Sequence, residues 1–118
     1  MVRGSRRFRL TGPGAFETVF RSGGRREGTY LQMVSVAKAR ECGRTGFVIG
    51  RKALPLAVDR NRVRRMLRVV LQGARPKIDG YDVIVRLKRG APRAEFPLIV
   101  AEAERLLAIL AAQQQRTQ

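Results

Sequence analysis

Histidine is absent from this 118-residue chain, and cysteine occurs once, at Cys42. Without an imidazole there is no Ser-His or Cys-His nucleophile pair and no histidine acid–base catalyst. One thiol allows no disulfide within the chain and no cysteine-based zinc site. Tryptophan is missing, and aromatics are only 6% of the residues, so the core must be aliphatic. Acidic residues number 9 against 25 lysines and arginines. They form no convincing catalytic pair. Glu102 and Glu104 stand two apart, which is about 200° around a helix. Asp79 and Asp82 flank a turn and a strand start. P-loop, GxGxxG and GxSxG patterns are all missing. No apolar run approaches the ~20 residues of a membrane span, and Met1 to Arg7 lead into no secretory apolar segment. These absences predict a soluble cytoplasmic protein with no membrane association and no active site built from its own side chains.

What is present is positive charge on a foldable chain. The formal net charge is +16, and 44% of the residues are apolar, enough for one packed core. The length predicts a single domain over residues 1–118. Only Lys38, Lys52, Lys77 and Lys88 are lysines; the other basic residues are arginines, suited to bidentate phosphate contacts and base stacking. So much charge on a small body calls for a polyanionic partner, and nucleic acid is the commonest.

Residues 1–10 are a basic arm carrying Arg7 and Arg9, either a tail or an arm that orders on RNA. Residues 11–22 read as a short helix with Thr11 as N-cap, Pro13 in the first turn, and Phe16, Val19 and Phe20 on one face. Residues 28–38 read as a strand, with Tyr30, Gln32, Val34 and Val36 facing one way and Leu31 and Met33 the other. A second strand follows over 45–50, and the two are expected to pair as an antiparallel hairpin. Residues 51–58 are a connector containing Pro55, after which Asp59 occupies an N-cap or first-turn position. Residues 59–72 form the strongest helix, with Val63, Met66, Leu67, Val70 and Leu71 on one face. A third strand spans 82–88. The last helix runs from about 95 to 112 with Phe96, Ile99, Val100, Ala103, Leu107 and Leu110 as its stripe, leaving 113–118 as a frayed tail. The sum is an α+β layer with helices on one face of a small sheet.

The helix over 59–72 carries the functional signal. With Val63 at 0°, its apolar residues lie between about −60° and +80°. Asn61, Arg65, Arg68 and Gln72 lie on the opposite side, with Arg62 and Arg64 on the flanks. Arg60 sits in the first turn, nearer the core edge. Five arginines thus fall within residues 60–68, and no acidic residue follows Asp59 in this helix. The arginines have no i, i+4 partners and repel one another. An ordinary solvated face would mix signs, so this one reads as a phosphate-binding face. Arg51 and Lys52 extend it. Asn61 can serve as a local cap or reach a phosphate, sugar or base.

In this region the chain resembles the protein subunit of bacterial ribonuclease P. Gly46 and Ile49 match that family's strand, Arg51-Lys52 stand where its basic pair falls, and Arg60-Asn61-Arg62-Val63-Arg64-Arg65 match its R-N-R motif. Arg7-Phe8-Arg9-Leu10, Phe16-Glu17-Thr18-Val19-Phe20 and Tyr81-Asp82-Val83-Ile84-Val85 resemble further elements of the family in the same order. The apolar connector with Pro55 departs from it.

The resemblance implies about four strands and three helices in αβββαβα order. The fold would be ribosomal-protein-like (S5 domain 2-like), with a left-handed βαβ crossover. The fourth strand would come from splitting 25–38 or from residues near the basic pair. The resemblance further implies a partner, a large catalytic RNA, and a substrate, precursor tRNA, whose 5′ leader the two remove together. Mg²⁺ would be held by the RNA and no cofactor by the protein, with no obligate protein partner. Arg7, Arg9, Arg51, Lys52, Arg60, Asn61, Arg62, Arg64, Arg65 and Arg68 would meet RNA. Phe16 and Phe20, with Tyr30 as a third member, would line a cleft for the single-stranded leader; spacing alone also allows Phe16 and Phe20 to be ordinary core. Two rivals share the composition: a ribosomal or assembly protein without enzymatic role, and a DNA-binding module placing 59–72 in a major groove.

Overall fold

The structure is a computed structural model that describes residues 14–37, 44–75, 77, 78 and 80–116. The elements in chain order are α1 (Ala15–Ser22), β1 (Gly24–Glu27), β2 (Leu31–Ala37), β3 (Thr45–Val48), α2 (Ala57–Gly73), β4 (Tyr81–Leu87), a 3₁₀ turn (Arg93–Glu95) and α3 (Phe96–Arg116). This is the expected αβββαβα order. The fourth strand is β1, separated from β2 by the turn at 28–30. Its sequence, GRRE, has no apolar alternation to announce it.

The four strands lie in the order β1-β2-β4-β3. The expected hairpin between 28–38 and 45–50 does not form. β4 separates the two strands, pairing antiparallel with β2 from Leu31↔Leu87 to Ala37↔Tyr81 and parallel with β3 from Thr45↔Val83 to Val48↔Arg86. Burial accounts for this. Val83, Ile84 and Val85 are all fully buried, so β4 is apolar on both faces and needs a central place. β3 has four residues, one of them Gly46, and lies at an edge.

Both sheet faces are covered, not one. Leu31, Met33, Val83, Val85 and Leu87 pack against α2 and α3 through Val63, Leu67, Leu71, Ile99, Ala103 and Leu107. On the opposite face Val19 of α1 packs on Val34 and Ile84, flanked by Phe16, Phe20, Val36 and Val48. The alternation in β2 and β4 supplies apolar residues to both sides, and the short helix α1 caps the second. Loss of a fully buried side chain such as Leu67 is worth about 2–5 kcal/mol.

Helix boundaries differ from expectation in three places. α1 starts after Gly14, whose φ of 74° is a left-handed conformation that glycine adopts without strain. The proposed cap Thr11 and Pro13 lie outside the described residues. α2 is entered from Leu56 rather than Asp59, which falls in the first turn. α3 continues as helix to Arg116, beyond the expected end near 112.

Buried carboxylates tie the elements together. Glu102 of α3, only 8% exposed, accepts the backbone N–H groups of Thr29, Tyr30 and Leu31 at 2.6, 2.8 and 2.7 Å. It thereby holds the β1–β2 turn. Gly28 is required beside it, because a Cβ there would collide with the carboxylate. Asp82 accepts the Arg44 backbone N–H at 2.9 Å and fixes the start of β3 against β4.

Candidate nucleic-acid interface

The parallel pairing of β3 with β4 sets the position of α2, which crosses between them. Its apolar side meets the sheet through Val63, Leu67 and Leu71. The other side therefore faces solvent for its whole length. Asn61, Arg62 and Arg65 are exposed, and Arg64 and Arg68 are half-buried.

Several of these side chains are held rather than loose. Arg64 donates from Nη1 to Asn61 Oδ1 at 3.1 Å, so Asn61 orients a guanidinium one turn along the helix. Arg68 lies 6.0 Å from the ring centroid of Phe47 on β3, within cation–π range. Val58, Asn61, Arg64, Arg65 and Arg68 line one shallow depression on this flank. A concave surface with three guanidinium groups and one amide suits a phosphodiester backbone.

Arg60 has a different surrounding. Its Nη1 donates to the backbone oxygens of Leu54 and Pro55 at 2.8 and 2.9 Å. It clasps the connector onto the helix, and part of its donor capacity is spent there. Arg51 and Lys52 are exposed in the turn that follows β3. Arg7 and Arg9 lie outside the described residues.

The three aromatic residues expected to share a cleft do not come together. Phe16 and Phe20 are half-buried beside Val19, Val34 and Ile84. The Arg25 guanidinium lies 5.8 Å from the Phe20 centroid and donates to the Phe20 carbonyl at 2.7 Å. Tyr30 packs instead against the core on the α2–α3 face. Its hydroxyl donates to Glu95 Oε1 at 2.7 Å, and Arg89 stacks 5.6 Å from its ring centroid. Alternation put Tyr30 with Val34. It precedes the first residue of β2, however, and the three backbone bonds to Glu102 turn the chain there. The Glu95 hydrogen bond is the main cause that raises the Tyr30 pKa above its ordinary 10.0.

Beyond α1, the same sheet face carries a polar row. Gln32 donates to Glu27 Oε1 at 3.1 Å and accepts from Arg86 at 3.5 Å. Sequence reasoning weighed Glu102 and Asp82 only as catalytic carboxylates and set them aside, and it did not single out this row, Glu95 or Arg93. Glu102 had a signal, since it falls on the apolar side of its helix between Ile99 and Leu106. Among the described residues, no group of three or more Asp, Glu, His or Cys side chains stands together as a metal site. No helix among them is long and apolar enough to cross a membrane.

Comparison with known proteins points the same way as this geometry. A family profile described as Ribonuclease P matches residues 5–111. A protein of Ralstonia pickettii named "Ribonuclease P protein component" is 32% identical over 93 residues, 79% of this chain and 66% of that one. One of the same name from a Synechococcus species is 35% identical over 104 residues, 84% of this chain and 78% of that one. The fold is like that of the RNase P protein of Thermotoga maritima, with a TM-score of 0.68, 22% identity, and coverage of 88% of this chain and 96% of that one. It is also like that of Staphylococcus aureus, with a TM-score of 0.67, 16% identity, and coverage of 87% and 91%.

Proposed function

The chain belongs to the ribonuclease P protein family, and on that premise we propose that it is the protein component of a ribonuclease P ribonucleoprotein. Its α2 face binds the catalytic RNA. Its α1 side receives the 5′ leader of precursor tRNA, whose removal gives the mature tRNA 5′ end. The observation that carries this is the one-sided character of α2: a buried apolar back, and a front that carries Asn61, Arg62, Arg64, Arg65 and Arg68 with no acidic residue after Asp59. A ribosomal or DNA-binding reading explains the charge equally well, but not the family membership.

The reaction is hydrolysis of one phosphodiester, leaving a 5′-phosphate on the tRNA. The described side chains offer no cluster fit for a divalent ion, and the α2 face would repel one. We assign Mg²⁺ and the chemistry to the RNA. The protein's own contribution is electrostatic: its arginines reduce the repulsion between two polyanions, the catalytic RNA and the precursor. Phe16 and Phe20 contribute stacking surface for unpaired leader bases, worth about 1–3 kcal/mol per base. In keeping with a role in tRNA maturation, we assign the complex to the cytoplasm.

Reconstitution tests this. Adding the protein to its cognate catalytic RNA should lower the Mg²⁺ concentration needed for correct cleavage of precursor tRNA, and the protein alone should cleave nothing at that site. Correct cleavage by RNA-free protein, lost on changing one carboxylate, would overturn the reading.

A further inference from the structure

One end of the sheet gathers charge that the α2 face does not account for. The C-terminal ends of the parallel strands β3 and β4 lie side by side, and β2 begins there, with Leu31 opposite Leu87. The segments leaving and entering these strands bring Arg51, Lys52, Lys88, Arg89 and Arg93 to the same end. Two chain segments are in close contact there. Gly90 lies so near the Ala53 carbonyl that any Cβ would collide with it, which seats the β4–α3 loop on the connector leading into α2.

Two arginines of that loop are held in place. Arg93 donates from Nε to Asp59 Oδ1 at 2.7 Å, yet its side chain remains 58% exposed. That bond uses Nε and leaves two amino nitrogens, with four N–H donors, for an outside acceptor. Arg89 is exposed and stacks on Tyr30, whose hydroxyl is tied to Glu95. Lys88, by contrast, is paired with Glu27 at 3.5 Å. Asp59 is in the first turn of α2, and Arg62 lies one turn further along, on the same flank. Arg93 therefore continues the basic surface from Arg62 around the end of the sheet toward Arg89.

We propose that Arg89 and Arg93 form a second phosphate-binding strip, continuous with the α2 face, that contacts the backbone of the catalytic RNA. This rests on the proposed function above. The catalytic RNA is the partner because the strip is anchored on α2 itself, through Asp59 and through the connector under Gly90. The Phe16–Phe20 surface is on the other face of the sheet. Pre-ordered guanidinium groups lose less freedom on binding than loose ones, which favours a contact over a solvated charge.

The test is the salt dependence of catalytic-RNA binding for the full chain and four variants: Arg62→Gln/Arg65→Gln, Arg89→Gln/Arg93→Gln, Arg89→Lys/Arg93→Lys, and Arg93→Gln alone. Two lost phosphate contacts should flatten the slope of log K against log salt by roughly 1.4–1.8. The affinity deficit of Arg89→Gln/Arg93→Gln should then shrink about 7- to 12-fold between roughly 50 and 200 mM salt. The lysine pair should restore most of the slope, and Arg93→Gln alone should show about half the effect, even if the double variant folds poorly. If Arg62→Gln/Arg65→Gln flattens the slope and Arg89→Gln/Arg93→Gln does not, the strip is only a structural bridge and this inference falls alone. If neither flattens it, the proposed function falls with it. An unchanged slope for the catalytic RNA, with weaker binding of precursor tRNA by the assembled complex, would move the strip to the substrate and overturn the assignment.

Discussion

Glu102→Gln should destabilise the protein far more than its neutral, near-isosteric replacement suggests. The carboxylate accepts three backbone N–H groups, one on Oε1 and two on Oε2. A glutamine has only one oxygen. With the oxygen at the Oε2 position, its amide nitrogen faces the Thr29 N–H and one bond is lost. With the amide flipped, the bonds from Tyr30 and Leu31 are lost instead. The first arrangement wins, and losing one hydrogen bond to a charged group costs about 1.5–3 kcal/mol. Glu102→Ala strips all three donors; the Leu31 donor is fully buried, so the cost should rise to about 3–5 kcal/mol. In thermal unfolding, Glu102→Gln should lower Tm by roughly 6–15 °C for a chain of this size. Gly28→Ala should fall in the same range, because its Cβ and the carboxylate compete for one space. The two changes should be strongly non-additive when combined. A Glu102→Gln protein melting within about 2 °C of the parent would show that solvent satisfies the β1–β2 turn and would refute the clamp.

The aromatic residues of α1 separate packing from binding: Phe16→Ala should keep affinity for the catalytic RNA but remove the assembled enzyme's preference for precursor over mature tRNA, with the effect vanishing when the leader is cut to one nucleotide. A full core loss of about 3–5 kcal/mol in Tm analysis with normal leader discrimination would assign Phe16 to packing alone. The Tyr30–Glu95 bond needs the phenol protonated. Because the folded pKa is raised, its contribution is complete below the ordinary value of 10.0 and fades as pH climbs through the raised one. Tyr30→Phe should therefore remove part of the alkaline loss of Tm, and identical pH profiles for the two proteins would contradict this. Asn61→Ala frees the Arg64 guanidinium; RNA affinity should fall about threefold to tenfold with an unchanged Tm, a cost of one hydrogen bond.

The parts of this fold legible in the sequence were those with a strong local period. The back of α2, the two faces of β2 and β4, and most of the α3 stripe follow from alternation or 3.6-residue spacing, because each element buries one side against something. Strand pairing was not legible. Nothing local in Thr45–Val48 says that its partner is β4, 38 residues on in register, rather than β2; the signal was the double-sided apolarity of Val83–Val85, which requires a central strand. β1 escaped because an edge strand of charged residues has no buried face to create a pattern. The arginines of α2 could be found, since like charges without partners are unusual on a helix. Their restraint by Asn61 and Phe47 could not, because the partners meet only after folding. Tyr30 was placed on the wrong face for a similar reason: the turn held by Glu102 breaks the alternation one residue before β2 begins.

The most direct measurement of the central claim is the salt dependence of binding between this chain and its catalytic RNA, with Arg62→Gln/Arg65→Gln as the comparison. Six neutralised phosphates under the α2 face and the Arg51–Lys52 turn account for a slope of roughly −4 to −5, which the two contacts of the Arg89–Arg93 strip would steepen by roughly 1.4–1.8. The variant, with its melting temperature unchanged, should be shallower by roughly 1.4–1.8. A folded variant that binds with the parent's slope would contradict the assignment of the α2 face to RNA.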